Sequence, residues 1–529
     1  MRSVLRRVVV ARTPSVTLVT SGLLVTAAIG LLVSTALLHE PVALEAGSAH
    51  AATLDARGAS TLGPAPTTLR VLTSPKGRAQ RLYIPPLVRP TIDSDGTKVF
   101  HLTARQGTVT RLGERLETAG YNGVYLAPTI RARRGERMRV EITNAMRETT
   151  TVHWHGLHVP ARYDGGPYQL IPPGTTWRPE WTLNQLATTL WYHPHVMGQT
   201  AQQVGHGMAG MFIVDDPRGT QRRLPRRYGV DDIPVILQGA PLPVGGGSAD
   251  RRPLLVNGTP NALLRTAQGR LRLRLLNATG GAMLGVNVRG ARHVYQVGSD
   301  GGLLPVRAGG GRVVLGPSER AELVVDLRPG SHVQMRTSLL PDRGAGSGTS
   351  RVDYLRGREN AGDTGTVLTI ANTARRLRAQ RAIPRRLAAT PAIDLTNAHA
   401  REMVLGPGIE INGRLMQDAD HGAFMDGTVE IPLGQTEVWT IRNISPFTHV
   451  FHVHDIEFQV LDRDGRRPDA SERGWKDSIL VPPGHTARIA MTFTDYADPL
   501  SPYMFHCHVL RHEDGGMMGQ FIVVPPSGG

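Results

Sequence analysis

The chain has 529 residues, a formal net charge of +16 and one cysteine. This length is too great for one domain, and a lone cysteine excludes an intramolecular disulfide framework. Arginine carries almost all of the positive charge, but the arginines are dispersed and form no basic stripe with interleaved aromatic residues, so we predict no nucleic-acid partner.

The first 51 residues are predicted to be an export leader rather than part of the fold. Four arginines precede an uncharged stretch at 16–38, and Ala49-His50-Ala51 offers a small-residue cleavage site. Because the stretch is also long enough to span a bilayer, a retained membrane anchor is an alternative to a cleaved signal. Residues 52–80 are predicted to be a flexible linker. Either way, we expect the body of the protein in the periplasm, cell envelope or extracellular space.

The rest of the chain repeats one pattern three times, in which a strand leads through an asparagine to a second strand. The asparagines are Asn144, Asn277 and Asn443. Short Val, Ile, Leu and Thr runs between Gly and Pro turns predict antiparallel β-sandwiches. We therefore predict an all-β chain of three domains. The predicted limits are 81–220, 221–374 and 390–529 for the domains and 375–389 for a basic linker.

A second repeat places Pro-Pro-Gly before a histidine motif in the first and last copies. These segments are Ile171-Pro172-Pro173-Gly174 and Val481-Pro482-Pro483-Gly484, and Leu315-Gly316-Pro317-Ser318 begins the matching run in the middle copy. The middle copy has no histidine cluster. We interpret it as a spacer that lost, or never had, a metal site.

Half of the 20 histidines fall into four short clusters. The clusters are His153-Trp154-His155-Gly156, His193-Pro194-His195, His449 to His454, and His506-Cys507-His508 with His512. A single His-x-His is weak evidence for metal binding, because solvated or core histidines are commoner than ligands. Four clusters in one chain, one of them with a thiol, indicate a metalloprotein.

Cys507 is the most informative of these residues. A thiolate, imidazoles and the thioether of Met517 at this spacing are typical of a blue-copper site. Tyr503 to Phe505 predict a strand, and side chains alternate between the faces of a strand. Cys507 would then face one way and its two histidine neighbours the other, so that one strand serves two metal sites.

These motifs resemble those of the multicopper oxidases, which include laccases, bilirubin oxidases, cuprous oxidases and ferroxidases. The resemblance covers nearly everything from about Leu82 to Val524 and implies three cupredoxin-like Greek-key domains with four copper ions. The implied ligands are His449, Cys507, His512 and axial Met517 for type 1 copper; His153 and His452 for type 2; His155, His193 and His508 for one type 3 copper; and His195, His454 and His506 for the other. No ligand position departs from the family pattern.

The resemblance also implies an activity, the oxidation of a small reductant coupled to reduction of O₂ to two waters. Glu513 matches the position of a proton-donating acid, and Asp164 matches an acid near the type 2 copper. The alternatives are a surface glutamate and a turn-forming aspartate before Gly-Gly. We expect the enzyme to act as a monomer.

The reductant is less well indicated than the reaction. Cuprous oxidases often carry an Asp/Met pair just before the first type 1 histidine, but residues 443–448 hold neither acid nor methionine. Pro446 and Phe447 could supply an apolar rim, or could be packing residues. We therefore favour laccase-type oxidation of phenols or aromatic amines. Oxidation of copper, iron or manganese ions is the alternative, and a non-enzymatic copper-binding envelope scaffold is a further one.

Overall fold

β-Strands dominate the described part of the chain, as its short Val-, Ile- and Leu-rich runs predict. The computed structural model describes residues 78–216, 219–245, 252–309, 311–340, 365–377, 379–416 and 427–526. The predicted leader and nearly all of the predicted 52–80 linker lie outside these ranges. Within them, no helix combines the length and the apolar character needed to cross a membrane.

The first third of the fold comprises strands β1 to β10. They are β1 (Gln80–Arg81), β2 (Thr91–Ile92), β3 (Lys98–Arg111), β4 (Glu114–Tyr121), β5 (Ile130–Arg133), β6 (Arg137–Asn144), β7 (Thr176–Trp177), β8 (Glu180–Thr182), β9 (Thr189–Tyr192) and β10 (Gly210–Asp215), with helix α1 (Thr200–Gly205) and a 3-10 turn at Ala161–Tyr163. One sheet has the order β2-β3-β6-β7, with β4 paired to β3 and β8 to β6, and the other has the order β5-β10-β9.

The middle third comprises strands β11 to β21. They are β11 (Asp232–Gly239), β12 (Leu254–Val256), β13 (Ala262–Thr266), β14 (Arg270–Asn277), β15 (Leu284–Arg289), β16 (His293–Ser299), β17 (Gly302–Gly309), β18 (Arg312–Leu315), β19 (Arg320–Asp326), β20 (His332–Leu339) and β21 (Gly365–Asn372), with a 3-10 turn at Thr220–Arg223. The sheet orders are β12-β11-β14-β19-β16-β17 and β1-β13-β21-β20-β15-β18, so β1 joins the middle third.

The last third comprises strands β22 to β31. They are β22 (His399–Leu405), β23 (Val429–Pro432), β24 (Thr436–Asn443), β25 (His449–Val453), β26 (Phe458–Arg463), β27 (Trp475–Lys476), β28 (Ser478–Val481), β29 (Thr486–Thr492), β30 (Tyr503–Cys507) and β31 (Met518–Val524), with helix α2 (Leu510–Asp514) and a 3-10 turn at Ala470–Glu472. The sheet orders are β22-β24-β29-β26-β27 and β23-β31-β30-β25-β28.

The prediction of an all-β fold with three cupredoxin-like sandwiches is confirmed. Most strand pairs are antiparallel. The middle third has the parallel pair β1·β13, and each third also contains two parallel pairs in corresponding places. They are β3·β6 and β5·β10, β11·β14 and β13·β21, and β22·β24 and β23·β31. Parallel neighbours need long crossover connections, which Greek-key sandwiches supply. The domain limits and the 375–389 linker stay predictions.

Three fully buried asparagines, Asn144, Asn277 and Asn443, make the same corner in each third. Each side-chain nitrogen donates to two backbone carbonyls, and each Oδ1 accepts the N–H of the second residue after it. The accepting carbonyls are those of Glu148 and Ile171 for the first asparagine, Ala282 and Leu315 for the second, and Phe447 and Val481 for the third. A buried amide with all these partners satisfies the polar groups where the strand ends, which accounts for the recurrence of asparagine in the sequence repeat.

Candidate metal centres

Two paired strands of the last third carry side chains for two sites. β25 and β30 run antiparallel, with His452 opposite His506 and Phe451 opposite Cys507. Because side chains alternate between the faces of a strand, Cys507 points away from the face that carries His506. His449 lies three positions before His452 and therefore faces the side of Cys507. The odd and even spacings of these motifs thus distribute their side chains over two sites, as predicted.

The first site is a triangle of one sulfur and two ring nitrogens. Cys507 Sγ lies 3.3 Å from His449 Nδ1 and 3.6 Å from His512 Nδ1, and the two nitrogens are 3.3 Å apart. Nε2 of His449 lies 2.6 Å from Ser445 Oγ, and donation there leaves Nδ1 unprotonated toward the thiol. Met517 is buried, and its backbone bonds to both Cys507 and His512, at 3.1 and 2.9 Å.

Burial sets the protonation of this triangle. It lowers the pKa of His512 to about 4 and that of His449 well below its usual range. It also raises the pKa of the Cys507 thiol to about 12, because the thiolate would lose its hydration. The imidazoles are therefore neutral, and a bound cation would have to displace the thiol proton. Two imidazoles and one thiolate, with the thioether of Met517 that the sequence predicts, form the donor set that suits copper.

The second site gathers eight buried histidines from the first and last thirds. They are His153, His155, His193 and His195 from the first third and His452, His454, His506 and His508 from the last. Nε2 of His506 lies 3.2 Å from the Nε2 atoms of both His195 and His454. Neither third could assemble this cluster alone, as the interleaved motifs predict.

Several nitrogens of the cluster have no hydrogen-bond partner among the described residues. They are Nε2 of His153, His193 and His452, Nδ1 of His155 and His195, and both ring nitrogens of His508. The opposite nitrogens of His153, His193 and His452 lie 2.8 to 3.0 Å from backbone carbonyl oxygens, which fixes each ring. Leaving a buried polar atom unpaired costs about 1–3 kcal/mol. Imidazoles whose one nitrogen bonds to the backbone and whose other nitrogen has a free lone pair are suited to binding metal ions.

Burial also keeps seven of these eight imidazoles neutral. Desolvation lowers the pKa of His195 to about 4 and that of His506 to about 3. It lowers the pKa of His155, His193, His452, His454 and His508 well below the usual value. Neutral imidazole is the form that binds metal, so these seven histidines can bind a cation without first losing protons.

The division of the eight histidines among three ions stays a prediction. One predicted type 3 set, His195, His454 and His506, coincides with three donor nitrogens that lie within 4.8 Å of one another. The ring of His508 lies 4.9 Å from that of His155 and 5.2 Å from that of His193, the other predicted set. The predicted type 2 pair, His153 and His452, has ring centres 5.8 Å apart, and donor nitrogens of His153 also approach members of both type 3 sets.

Both predicted carboxylates lie directly behind histidines of the cluster. Asp164 Oδ2 is 2.7 Å from Nδ1 of His454 and 3.5 Å from Nδ1 of His153. Glu513 Oε2 is 3.2 Å from Nδ1 of His506, and Oε1 is 3.5 Å from Nδ1 of His195. Both acids are only 1% exposed, so neither is a surface residue. Burial raises the pKa of Glu513, although His195 opposes this shift.

The sequence analysis assigned no role to Asp477, which the fold places against the cluster. Its Oδ1 lies 3.2 Å from Nε2 of His155, and its backbone carbonyl accepts the Nδ1 hydrogen of His452 at 2.8 Å. The segment Trp475–Lys476 leads directly into this residue, two positions before the strand residue that pairs with Phe451. The sequence did offer one signal for Asp477, a charged residue directly before a strand that pairs with the strand of His449 and His452.

A cavity of about 380 Å³ opens beside His512. Residues of all three thirds line it, among them Ala201, His206, Gly280, Ala282, Met283, Leu340, Val509 and Arg511. Phe447 lines the cavity, with its ring 6.1 Å from that of His512, whereas Pro446 is not among the described lining residues. None of the described lining residues is an aspartate or a glutamate.

Known proteins match most of this chain. Two models described as Multicopper oxidase match residues 103–219 and 408–527. Multicopper oxidase mco of Staphylococcus aureus is 31% identical over 468 residues, covering 85% of this chain and 94% of that protein. Cell division protein FtsP of Escherichia coli (strain K12) is 31% identical over 464 residues, with the same coverage.

A solved structure is also similar, that of the laccase-like multi-copper oxidase CueO from the lignin-degrading bacterium Ochrobactrum sp. It has 32% sequence identity and a TM-score of 0.72, and the match covers 84% of this chain and 100% of that chain. Sequence identity at this level extends over nearly the whole length of several relatives. It indicates common descent and not only a shared fold. This chain therefore belongs to the multicopper oxidase family, as its histidine motifs predict.

Proposed function

We propose that this protein is a laccase-type oxidase. It takes single electrons from phenols or aromatic amines, and four such oxidations reduce one O₂ to two waters. The observation that carries the proposal is the cavity beside His512, which offers an organic donor an apolar space next to a predicted type 1 ligand. The buried histidine cluster stays separate from that cavity, so that the reductant and O₂ use different places in the protein.

We assign four copper ions to the two sites, with the ligand sets that the sequence predicts. Bound copper supplies the one-electron redox chemistry and the reduction of O₂. The chain supplies the connection, because Cys507 of the first site is joined by one peptide bond to His506 and by another to His508. The buried ring nitrogens without a hydrogen-bond partner, on six of the eight clustered histidines, support this assignment.

Protons for water formation would come through Glu513. Its carboxyl lies behind two histidines of the cluster, and burial raises its pKa, so it keeps its proton to higher pH than an exposed glutamate does. Asp164 would serve the other side, where its Oδ2 accepts the Nδ1 hydrogen of His454 at 2.7 Å and orients that ring. Each acid thus acts through an identified imidazole atom.

The chemistry of the cavity favours an organic donor over a metal ion. A metal cation would need carboxylates or thioethers near His512. Among the described lining residues no acid is present, and Met283 is the sole methionine. Arg511 adds positive charge at the lining, which further disfavours cations. The CueO relative from Ochrobactrum sp. is named for oxidase activity towards lignin model compounds and lignosulfonate, which supports the same substrate class here.

A second candidate is a non-enzymatic role, which the similarity to FtsP raises. A cell-division scaffold would need no turnover and no complete ligand set. The intact twelve-residue set and its buried, unpartnered nitrogens favour the oxidase. Either role agrees with a location outside the cytoplasm, which we infer from the leader at 1–51 and its uncharged stretch.

Oxygen uptake by the copper-loaded full chain tests the proposal. A phenolic donor and chelated Cu(I) are offered in parallel, with Cys507→Ser as the blank. Rapid uptake with the phenol and little with Cu(I) is the expected result. Faster uptake with Cu(I) would make metal-ion oxidation and copper homeostasis the function instead, and no uptake above the blank with either donor would leave the scaffold role.

A further inference from the structure

A buried arginine of the middle third connects all three parts of the fold. Arg320 opens strand β19, and its guanidinium forms a two-pronged pair with the Asp477 carboxylate of the last third, with Nη1 2.7 Å from Oδ1. Its Nε donates to the Thr189 carbonyl of the first third at 3.1 Å. The remaining donors reach the carbonyls of Ser318 and Asp300 in the middle third, at 3.1 and 3.2 Å. Every nitrogen of this guanidinium group is therefore hydrogen-bonded, which fixes its position.

The carboxylate that Arg320 holds is the one that contacts the histidine cluster. Asp477 Oδ1 accepts the Nε2 hydrogen of His155 at 3.2 Å and the Ser478 hydroxyl at 2.8 Å. This hydrogen bond selects the tautomer of His155 in which Nδ1 is unprotonated, and that Nδ1 is one of the buried nitrogens with no partner. The orientation of one predicted copper ligand is thus set by a carboxylate whose own orientation is set by Arg320.

The backbone is shaped to admit this pair. Gly156 directly follows His155 and has a φ of +79°. A Cβ at Gly156 would lie 2.3 Å from Asp477 Oδ2 and 2.8 Å from Arg320 Nη2, which is closer than atoms can approach. The glycine that ends the first histidine cluster therefore leaves room for the guanidinium and carboxylate beside the ligand.

We infer that Arg320 is a positioning residue for the copper centre, acting through Asp477 on His155. The middle third is then more than a spacer, because it supplies the group that sets the ligand orientation at the boundary between the other two thirds. Ser318 adds a second contact, with its hydroxyl donating to Ser478 at 2.9 Å. The Leu315-Gly316-Pro317-Ser318 run corresponds to the Pro-Pro-Gly segments of the outer copies. Ser318 at its end contacts Ser478, and Arg320 two positions later contacts Asp477.

The test compares Arg320→Met with Arg272→Met in the copper-loaded full chain. Arg272 is also fully buried in the same sheet, but its hydrogen bonds go to Glu322 and Gln221. Removing a partner that orients a metal-binding histidine typically weakens metal affinity about 10- to 100-fold. We expect Arg320→Met to release copper from the eight-histidine site to a chelator about 10- to 100-fold more readily. Its electron paramagnetic resonance and near-ultraviolet absorption should change, while the blue absorption of the Cys507 site stays.

The control separates positioning from general stabilisation. Arg272→Met should keep wild-type spectra and wild-type copper release. Equal copper loss in both variants, or wild-type copper release in Arg320→Met, would overturn the inference. If Arg320→Met gives no blue protein, Arg320→Lys decides by the same two signals, since lysine keeps the charge but cannot form the two-pronged pair. Wild-type spectra in that variant would also overturn it.

The inference rests on the copper site of the proposed function, and the two can fail separately. A wild-type chain that takes up no copper at the eight-histidine site would refute the proposed function. A wild-type chain that takes up copper there, with an Arg320→Met variant that holds it equally well, would refute only the role of Arg320.

Discussion

Glu513 Oε2 lies 3.2 Å from Nδ1 of His506, on the side of the ring opposite to Nε2, which faces two other histidines of the cluster. A single imidazole therefore separates a buried carboxyl from the centre of the site. Glu513 belongs to helix α2, directly after His512 of the Cys507 site. This short helix thus contributes to both sites.

Replacement of Glu513 by glutamine should slow O₂ reduction and leave the blue absorption intact, because the carboxyl faces His195 and His506 rather than the Cys507 sulfur. General acid catalysis typically contributes about 10²- to 10⁴-fold, and we expect a loss of at least about 10²-fold. Stopped-flow mixing of the reduced enzyme with O₂ measures this step. Asp514→Asn is the matched control, since that carboxylate accepts the Thr200 and Ala201 N–H groups at 2.9 and 3.0 Å. Unchanged turnover of Glu513→Gln across the pH range would disprove the proton role.

Replacement of Asp164 by asparagine should weaken copper retention at the eight-histidine site. The variant replaces a charged acceptor for the Nδ1 hydrogen of His454 by a neutral group, and we expect about 10- to 100-fold weaker binding. Copper content after dialysis against a graded chelator measures the effect. The blue absorption of the Cys507 site serves as the internal control, and parallel loss of both would indicate unfolding instead of a local effect.

Charge reversal at Arg511 should discriminate between donor classes. Arg511 is exposed and lines the cavity next to His512. Because exposed charge interactions are worth on the order of 1 kcal/mol or less, Arg511→Glu should raise the KM for a carboxylated phenol by a few-fold. The KM for a neutral phenol should hardly move. Arg511→Gln should show about half of the effect, and equal changes for both phenols would mean that the cavity does not bind the donor.

Stability should depend on pH through His158, which joins the first and last thirds. Its Nδ1 lies 2.7 Å from Asp455 Oδ1, and its Nε2 pairs with Asp495. Burial alone lowers the pKa of His158, but the two carboxylates outweigh it and hold the pKa well above its usual value. A pKa raised on folding contributes stability that is complete below the unfolded value of about 6.5. That contribution is lost as the pH rises through the folded pKa.

Thermal unfolding of His158→Gln checks this sign. The wild type should exceed the variant in melting temperature most at about pH 6, where the histidine is charged in both folded and unfolded chains. This difference in melting temperature should become smaller as the pH rises toward and past the raised pKa of His158. A gap that stays constant with pH, or widens at high pH, would show that His158 does not act as a cation between the two acids.

Much of the site was determined by the sequence itself, because a strand places alternate side chains on opposite faces. The spacing in His506-Cys507-His508 and in the cluster from His449 to His454 therefore assigns each side chain to one of two sites. The repeated asparagine likewise indicates three equivalent strand corners, one in each third of the fold. Local rules of this kind hold wherever a run forms a strand, so the face that each of these side chains occupies follows from the motifs, whereas the full ligand set was implied by the family resemblance.

Tertiary packing alone decided which groups stand behind the ligands. Arg320 and Asp477 are 157 positions apart, and nothing in either neighbourhood announces that they meet beside His155. The cavity at His512 likewise exists because loops of all three thirds converge there. Contacts between distant segments depend on how whole sheets pack against one another. Alternation along a strand fixes the face a side chain occupies, but it carries no information about the partner that face will meet.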